Sequence, residues 1–205
     1  LDYDVDLVIH LAGLSGVRDS LDNPVDYWTN NVVATYRVFN QFKNGPKILY
    51  ASSSTAYEPW RNPYAMSKHY MESIAPHNAL GMRFTTVYGP GAREQMLIPK
   101  ILKNDVDYIN VDHSRDFIHI DDILTAIGFL IVNPLPKKPK FVDVGTGISN
   151  KLIDIFDHLN MTIKDKRMGT IYERKDNVAK IGTLSKMGWI PQTNLLDYLK
   201  ENYDN

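Results

Sequence analysis

The chain has 205 residues, a mass of 23.4 kDa and a formal net charge of -1, and 43% of its residues are hydrophobic. That suffices for one well-filled domain with a small second lobe, while the balanced charge gives no electrostatic reason to expect nucleic acid or an anionic membrane. The absence of cysteine excludes disulfides, zinc-thiolate sites and thiol catalysis and fits a cytoplasmic enzyme, and the longest apolar run, ILTAIGFLIV (123–132), is too short to span a bilayer.

The chain begins at Leu1 and by Asp6 has entered the apolar run DLVIHLAG (6–13), with nothing resembling a signal peptide before it. So abrupt an opening leads us to expect further residues upstream. Next, NPVDYWTNNVVATYRVFNQF (23–42) starts with Asn-Pro and sets Tyr27, Val32, Tyr36 and Phe39 at helical spacing, which predicts a covering helix. Three more short apolar runs follow, KILYASSS (47–54), GMRFTTVYG (81–89) and KFVDVGTG (140–147). Continuous apolar strands alternating with helices predict an α/β fold, a doubly wound parallel sheet. Beyond residue 90 the pattern loosens into a helix near 96–104, a short strand VDYINV (106–111), a helix from Asp122 to Val132 and the Pro/Lys-rich turn NPLPKKPK (133–140).

Ligands of open α/β sheets bind at the carboxyl ends of the strands. Here those ends read Ala12-Gly13, Ser52-Ser53-Ser54 and Thr85-Thr86, small and hydroxyl residues that leave room for a ligand and offer hydrogen bonds. Between the second and third lies NPYAMSKHYME (62–72). Asn62 suits a helix cap and Pro63 a first position, so Tyr64 and Lys68 fall one turn apart on one face. A phenol titrating near pH 10 is a poor base at neutral pH, and an adjacent ammonium and a helix N-terminus both favour its phenolate. The spacing alone is a weak signal, because a lysine packed along a helical tyrosine produces it as well. His10 reads as a packed core histidine. Asp121 reads as a helix cap rather than, with His119 and Asp122, part of a metal site. Trp28 and Trp189 read as packing.

Taken in order, these segments resemble the extended short-chain dehydrogenase/reductase family, in particular its NAD-dependent nucleotide-sugar epimerase/dehydratase group. DLVIHLAGLSGVRDSLDNPVDYWTNNVVATYRVF is similar to the middle of a UDP-galactose or UDP-glucuronate 4-epimerase, YASSSTAY to the family's serine-rich strand end, and YAMSK to its YxxxK helix. MRFTTVYGPG resembles its VYGP segment, SRDFIHIDDI its RDFxxxDD signature, VDVGTG its NxGxG strand, and LSKMGWIPQTNLLDYL its C-terminal lobe. The resemblance implies a Rossmann-like sheet with a small C-terminal substrate-binding lobe. It divides into a partial NAD-binding domain over 1–90 and a mainly substrate-binding lobe over 91–205, with 116–147 recrossing to the first.

Carried over residue by residue, it implies Ser53, Tyr64 and Lys68 as catalytic groups, with Ser52 and Ser54 the alternatives one register away. It implies that Ala12, Gly13, Asn31, Ser52 and Phe84 line the cofactor, NAD with NADP not excluded, together with Tyr64 and Lys68. Ser54, Thr86, Arg115 and Arg174 would meet a nucleoside-diphosphate sugar, the arginines by charge-assisted contacts to phosphate, and Arg93 would face a hexuronate carboxylate or solvent. A homodimer follows by the same likeness, through helices such as 23–42 and 63–75, with no nucleic-acid or membrane partner.

Among the reactions of this family the resemblance favours 4-epimerisation. The 4,6-dehydratases carry Asp-Glu after the catalytic hydroxyl, where this chain has Ser54 and Thr55; decarboxylating relatives carry a Glu in place of Thr55; and the fucose-type enzymes use a Cys. A dehydratase or reductase of the same family and a noncatalytic nucleotide-sugar or dinucleotide binder stand as alternatives. Two departures accompany the likeness. The glycine-rich GxxGxxG turn and the acidic residue that holds the adenine ribose are not in these 205 residues, and are expected upstream of Leu1. Ser53 and Tyr64 are also closer in sequence than in typical relatives.

Overall fold

The computed structural model describes residues 4–136 and 138–203; the opening at Leu1 and position 137 of the Pro/Lys-rich turn lie outside the described residues. In chain order the first elements are β1 (Leu7–His10), α1 (Val17–Asp22), α2 (Pro24–Tyr27), a π-helical turn (Trp28–Val33), α3 (Ala34–Phe42), β2 (Lys47–Ser53), α4 (Pro63–Ile74) and β3 (Ala79–Phe84). Then come β4 (Thr86–Tyr88), α5 (Leu97–Leu102), β5 (Ile109–Asn110), β6 (Ser114–Arg115), β7 (Phe117–His119), α6 (Ile120–Val132) and β8 (Phe141–Val144). The chain closes with β9 (Asn150–Lys151), α7 (Leu152–His158), β10 (Lys166–Arg167), β11 (Asp176–Asn177), α8 (Gly182–Met187) and α9 (Leu195–Asn202).

The main sheet has the order β1-β2-β3-β8, with β1, β2 and β3 parallel. Its central strands are apolar on both faces, Ile48, Leu49 and Tyr50 being fully buried, as expected of a parallel sheet covered by helices. Phe39 of α3 and Met71 of α4 pack with Ile48 and Tyr50 in this core. Each such side chain contributes about 1.5–3 kcal/mol on leaving water. Tyr50 lies beside Gly81 in the register, and a Cβ on Gly81 would sit 2.8 Å from the Tyr50 hydroxyl, so the glycine makes room for the ring.

The chain divides into two units. The first comprises 1–84, 127–143 and 172–174, and the second 85–126, 144–171 and 175–205. The second has its own core, in which Ile101, Phe117, Phe156 and Leu199 are almost wholly buried. Its strands are short: β4 pairs with β7, β10 with β5, and β6 sits between β11 and β9.

Several elements depart from the sequence expectation. The run 81–89 is two strands, because the backbone changes partners at Thr85, whose amide bonds Val144 while that of Thr86 bonds Asp116. The helix expected over 23–42 contains the π turn. Of the strand expected over 106–111, Ile109–Asn110 forms the strand, paired with β10, and the Val111 amide adds a bond to the Arg167 carbonyl. The helix expected from Asp122 begins at Ile120, so Asp121 lies within its first turn and is not its cap; instead the His119 ring Nδ1 accepts the Asp121 amide at 3.3 Å. Trp28 is 42% exposed rather than packed inside, whereas Trp189 is buried and donates to Thr125. His10 is half-buried against the Thr35 hydroxyl at 2.8 Å, and burial followed by the Lys68 charge holds its pKa below the usual histidine value.

Candidate active site

The helix carrying Tyr64 and Lys68 starts where its local sequence requires. The Asn62 side chain accepts the Ala65 amide at 2.7 Å, satisfying one of the unpaired donors of the first turn, and Pro63 occupies the first position, where its missing N–H costs nothing. Tyr64 is partly exposed and Lys68 is buried. The Lys68 ammonium lies 5.9 Å from the centre of the Tyr64 ring and donates to the Ala51 carbonyl at 2.9 Å, which joins α4 to the carboxyl end of β2. Burial pushes Lys68 down to about 8, against an opposing pull from Glu72. An ammonium so placed adds positive potential at the phenol one turn away.

Ser53 ends β2 and is buried; its hydroxyl accepts from the Thr55 amide at 3.2 Å and the Thr55 hydroxyl at 2.9 Å. Its neighbours are employed differently. Ser52 donates to Glu72 at 2.5 Å, directed into the buried interior, while the Ser54 carbonyl receives Arg174 at 2.7 Å. Of the three serines, the hydroxyl of Ser52 is thereby committed to a protein carboxylate.

At the carboxyl end of β1, Ala12 and Gly13 are exposed. A Cβ on Gly13 would meet the Asn31 Oδ1 at 2.9 Å and the Lys68 ammonium at 3.5 Å, so this strand end permits close approach to Lys68 only as glycine. Asn31, in the π turn, is completely buried; it accepts the Leu14 amide at 2.7 Å and donates to the Leu14 carbonyl at 3.0 Å and the Ser67 hydroxyl at 2.9 Å. It thus staples the loop after β1 to α4. π turns of this kind recur at functional sites, where they re-aim one side chain without breaking a helix. Tyr27 donates to the Ser15 carbonyl and meets the Tyr64 ring edge-on at 6.0 Å. Phe84, partly buried, ends β3 opposite Ser53 in the register.

Arg174 also belongs to this unit. Its Nε bonds Glu58 at 3.0 Å, and Glu58 also pairs with Arg61. These two arginines hold the Glu58 carboxyl below the usual carboxylate range against the effect of its burial. The connection between Ser53 and Tyr64, two 3₁₀ turns at Ser54–Tyr57 and Pro59–Arg61, is where Glu58 sits.

The remaining expected residues are in the second unit. Thr86 lies in β4, and Arg93 is exposed in the following turn beside Met96. Arg115, in β6, donates to the Ser114 carbonyl at 2.7 Å and the Lys175 carbonyl at 3.2 Å, and its Nη2 is 3.0 Å from the His113 Nδ1. This unit also holds an open cavity of about 420 Å³ between Phe117, Ile148, Ile190 and Leu195, and none of the expected site residues lines it. Sequence reading missed Glu72, Arg83 and His113. The YxxxK spacing extended by one further turn would have found Glu72, whereas no local signal marks the other two.

The profile of the NAD dependent epimerase/dehydratase family matches residues 1–145. The chain is 28% identical to UDP-glucuronate 4-epimerase of Thermodesulfobacterium geofontis (strain OPF15), the match covering 97% of this chain and 71% of the relative. It is 30% identical to a putative UDP-glucose 4-epimerase of Methanocaldococcus jannaschii, covering 96% and 75%. UDP-glucuronic acid 4-epimerase of Bacillus cereus, solved with UDP-glucuronic acid and NAD, superposes with a TM-score of 0.82 over 98% of this chain and 75% of that one; at 24% identity this establishes a common fold.

Proposed function

The chain belongs to the NAD dependent epimerase/dehydratase family, and from that premise we propose that it epimerises a nucleoside-diphosphate sugar at C4 through a transient 4-keto sugar. The observation that carries the reading is the join between α4 and β2: Lys68, one turn from Tyr64, is anchored by Ala51 two residues before Ser53. The strand end at Ala12-Gly13, open beside the Lys68 ammonium, would hold the nicotinamide end of NAD, with Asn31 fixing that loop and Lys68 the group that would bond its ribose. When bound, that cofactor accepts a hydride from the sugar and returns it.

The work of the chain's own residues is to move one proton and hold one charge. Tyr64, as phenolate, takes the proton of the C4 hydroxyl, and the Lys68 ammonium favours that phenolate. Ser53 donates a preorganised hydrogen bond to the same oxygen as it becomes a carbonyl. Its present bonds come from Thr55 and leave the hydroxyl hydrogen available for this. Once the keto sugar has turned its other face toward the cofactor, return of the proton from Tyr64 to the same oxygen leaves C4 inverted. Thr86, Arg115 and Arg174 are assigned to the diphosphate, and Arg93 to a carboxylate on the sugar. For Arg174 this requires that phosphate take over the position of Glu58.

We assign a homodimer to the same reading. Helices α2, α3 and α4 and the π turn expose Val25, Trp28, Tyr36, Met66 and Tyr70, with Trp28 and Tyr70 in ring contact at 5.0 Å, an apolar surface suited to a second copy. We assign the reaction to the cytoplasm, a reading supported by the cysteine-free sequence. The deciding experiment is incubation with UDP-glucose and UDP-glucuronate plus NAD, the products resolved by NMR. Epimers of unchanged mass that vanish with Tyr64→Phe support the reading. A product lighter by water, or turnover that survives Tyr64→Phe, overturns it.

A further inference from the structure

One charged network beside the site has no place in the scheme above. Glu72 follows Lys68 by one helical turn as Lys68 follows Tyr64, so the three side chains form a stripe along α4. Its carboxylate is 7% exposed and accepts three hydrogen bonds, from Ser52 Oγ at 2.5 Å, Arg83 Nε at 2.7 Å and Arg83 Nη2 at 2.6 Å. Arg83 in turn is clamped between two rings, its guanidinium carbon 3.5 Å from the Phe141 centroid and 4.1 Å from that of Tyr57. The Tyr57 hydroxyl donates to Asp143 at 2.9 Å. Three strands and a helix thus converge on one carboxylate.

A structural ion pair accounts for Arg83 and Glu72 but not for the position of that pair. Replacing a buried pair by apolar side chains is often neutral for stability, so retention at this point on the stripe calls for another reason. Lys68 supplies it. The groups facing the ammonium are Tyr64 and Glu72 on its own helix, His10 and the open end of β1, and the Ala51 carbonyl of β2. Tyr50 of β2 and Arg83 of β3 face Glu72. Within this set Glu72 is the group whose charge favours the ammonium, against the burial that disfavours it.

We propose that Glu72 is a positioning residue for the Tyr64–Lys68 pair, a counter-charge one turn beyond Lys68 on α4 that is fixed to β2 through Ser52 and to β3 through Arg83. Arg83 and Ser52 hold the carboxylate in register, and Ser52 couples it to the strand end that carries Ser53. The inference rests on the reading of Tyr64 and Lys68 given above, and its test is independent of turnover.

The probe is the Lys68 side chain itself, followed as a function of pH by NMR of protein labelled with 13C-lysine and assigned by loss of its signal in Lys68→Met. With Glu72→Gln the midpoint is expected to fall by about one unit, the scale of a near opposite charge. Because Glu72→Gln strands a buried guanidinium, the double variant Glu72→Gln/Arg83→Met repeats the measurement without it, and a smaller fall is expected, since loss of the Arg83 charge itself favours the ammonium. Glu72→Asp should recover part of the shift. A midpoint that does not fall in either folded variant overturns the proposal. Should the midpoint fall while the unmodified protein turns over no nucleotide sugar, the epimerase reading fails and the role of Glu72 stands. In an active enzyme the alkaline limb of kcat should move to lower pH with the NMR midpoint.

Discussion

Replacing Asn31 with leucine keeps the number and branching of side-chain heavy atoms, adds some bulk, and removes three hydrogen bonds, two to the Leu14 peptide and one to Ser67. Each is worth about 1 kcal/mol net and up to about 3 when its partner is left buried and unmet. Leu14 is 37% exposed, so its peptide can recover water, and Ser67 retains its bond to the Tyr64 carbonyl. These conditions select the lower end, about 3 kcal/mol in all. For a chain of this size that corresponds to a fall of about 6–12 °C in Tm, measured by calorimetry and checked by urea unfolding followed by circular dichroism. Ser67→Ala, which removes one of the three, should cost about 1 kcal/mol. A loss below about 1 kcal/mol for Asn31→Leu would refute the argument that the π turn exists to present this amide.

Three other outcomes follow from the geometry. Lys68, held at about 8 when folded and near 10.4 when unfolded, binds fewer protons in the folded state between those values, so its contribution makes stability rise with pH across that window. The stability difference between the native protein and Lys68→Met, from urea unfolding at pH 8 and pH 10, should therefore shift toward the native protein at the higher pH, and a constant difference would contradict it. Gly169→Ala drives a Cβ into the buried His113 ring and must displace the ring that meets Arg115; we expect a loss of about 2–4 kcal/mol in unfolding experiments, and a raised KM with a smaller effect on kcat. On the proposed homodimer, Trp28→Glu, at the exposed surface beside Tyr70, should lower the sedimentation coefficient to that of a monomer while leaving the circular dichroism spectrum unchanged, and an unaltered coefficient would refute that interface.

What could be read along the chain was local. Asn62-Pro63 defines the start of α4 because cap and first-turn preferences involve only neighbouring residues, and the apolar runs at 47–54 and 140–147 place strands because a buried parallel strand must be apolar on both faces. The spacing of Tyr64 and Lys68 likewise puts them on one face by helix geometry alone. The π turn at Trp28–Val33 was invisible, since its helical periodicity continues on both sides; it arises where Asn31 reaches Leu14 and Ser67, seventeen and thirty-six positions away. The same holds for Ser52, which reads as a ligand-facing hydroxyl but faces Glu72 twenty positions on, and for Arg174, paired across 116 positions with Glu58. Helix and strand patterns are set by interactions a few residues apart, and so the sequence carries them. Which carboxylate meets which cation is decided only when distant segments are packed together, because a buried charge must find its partner wherever the fold has brought one.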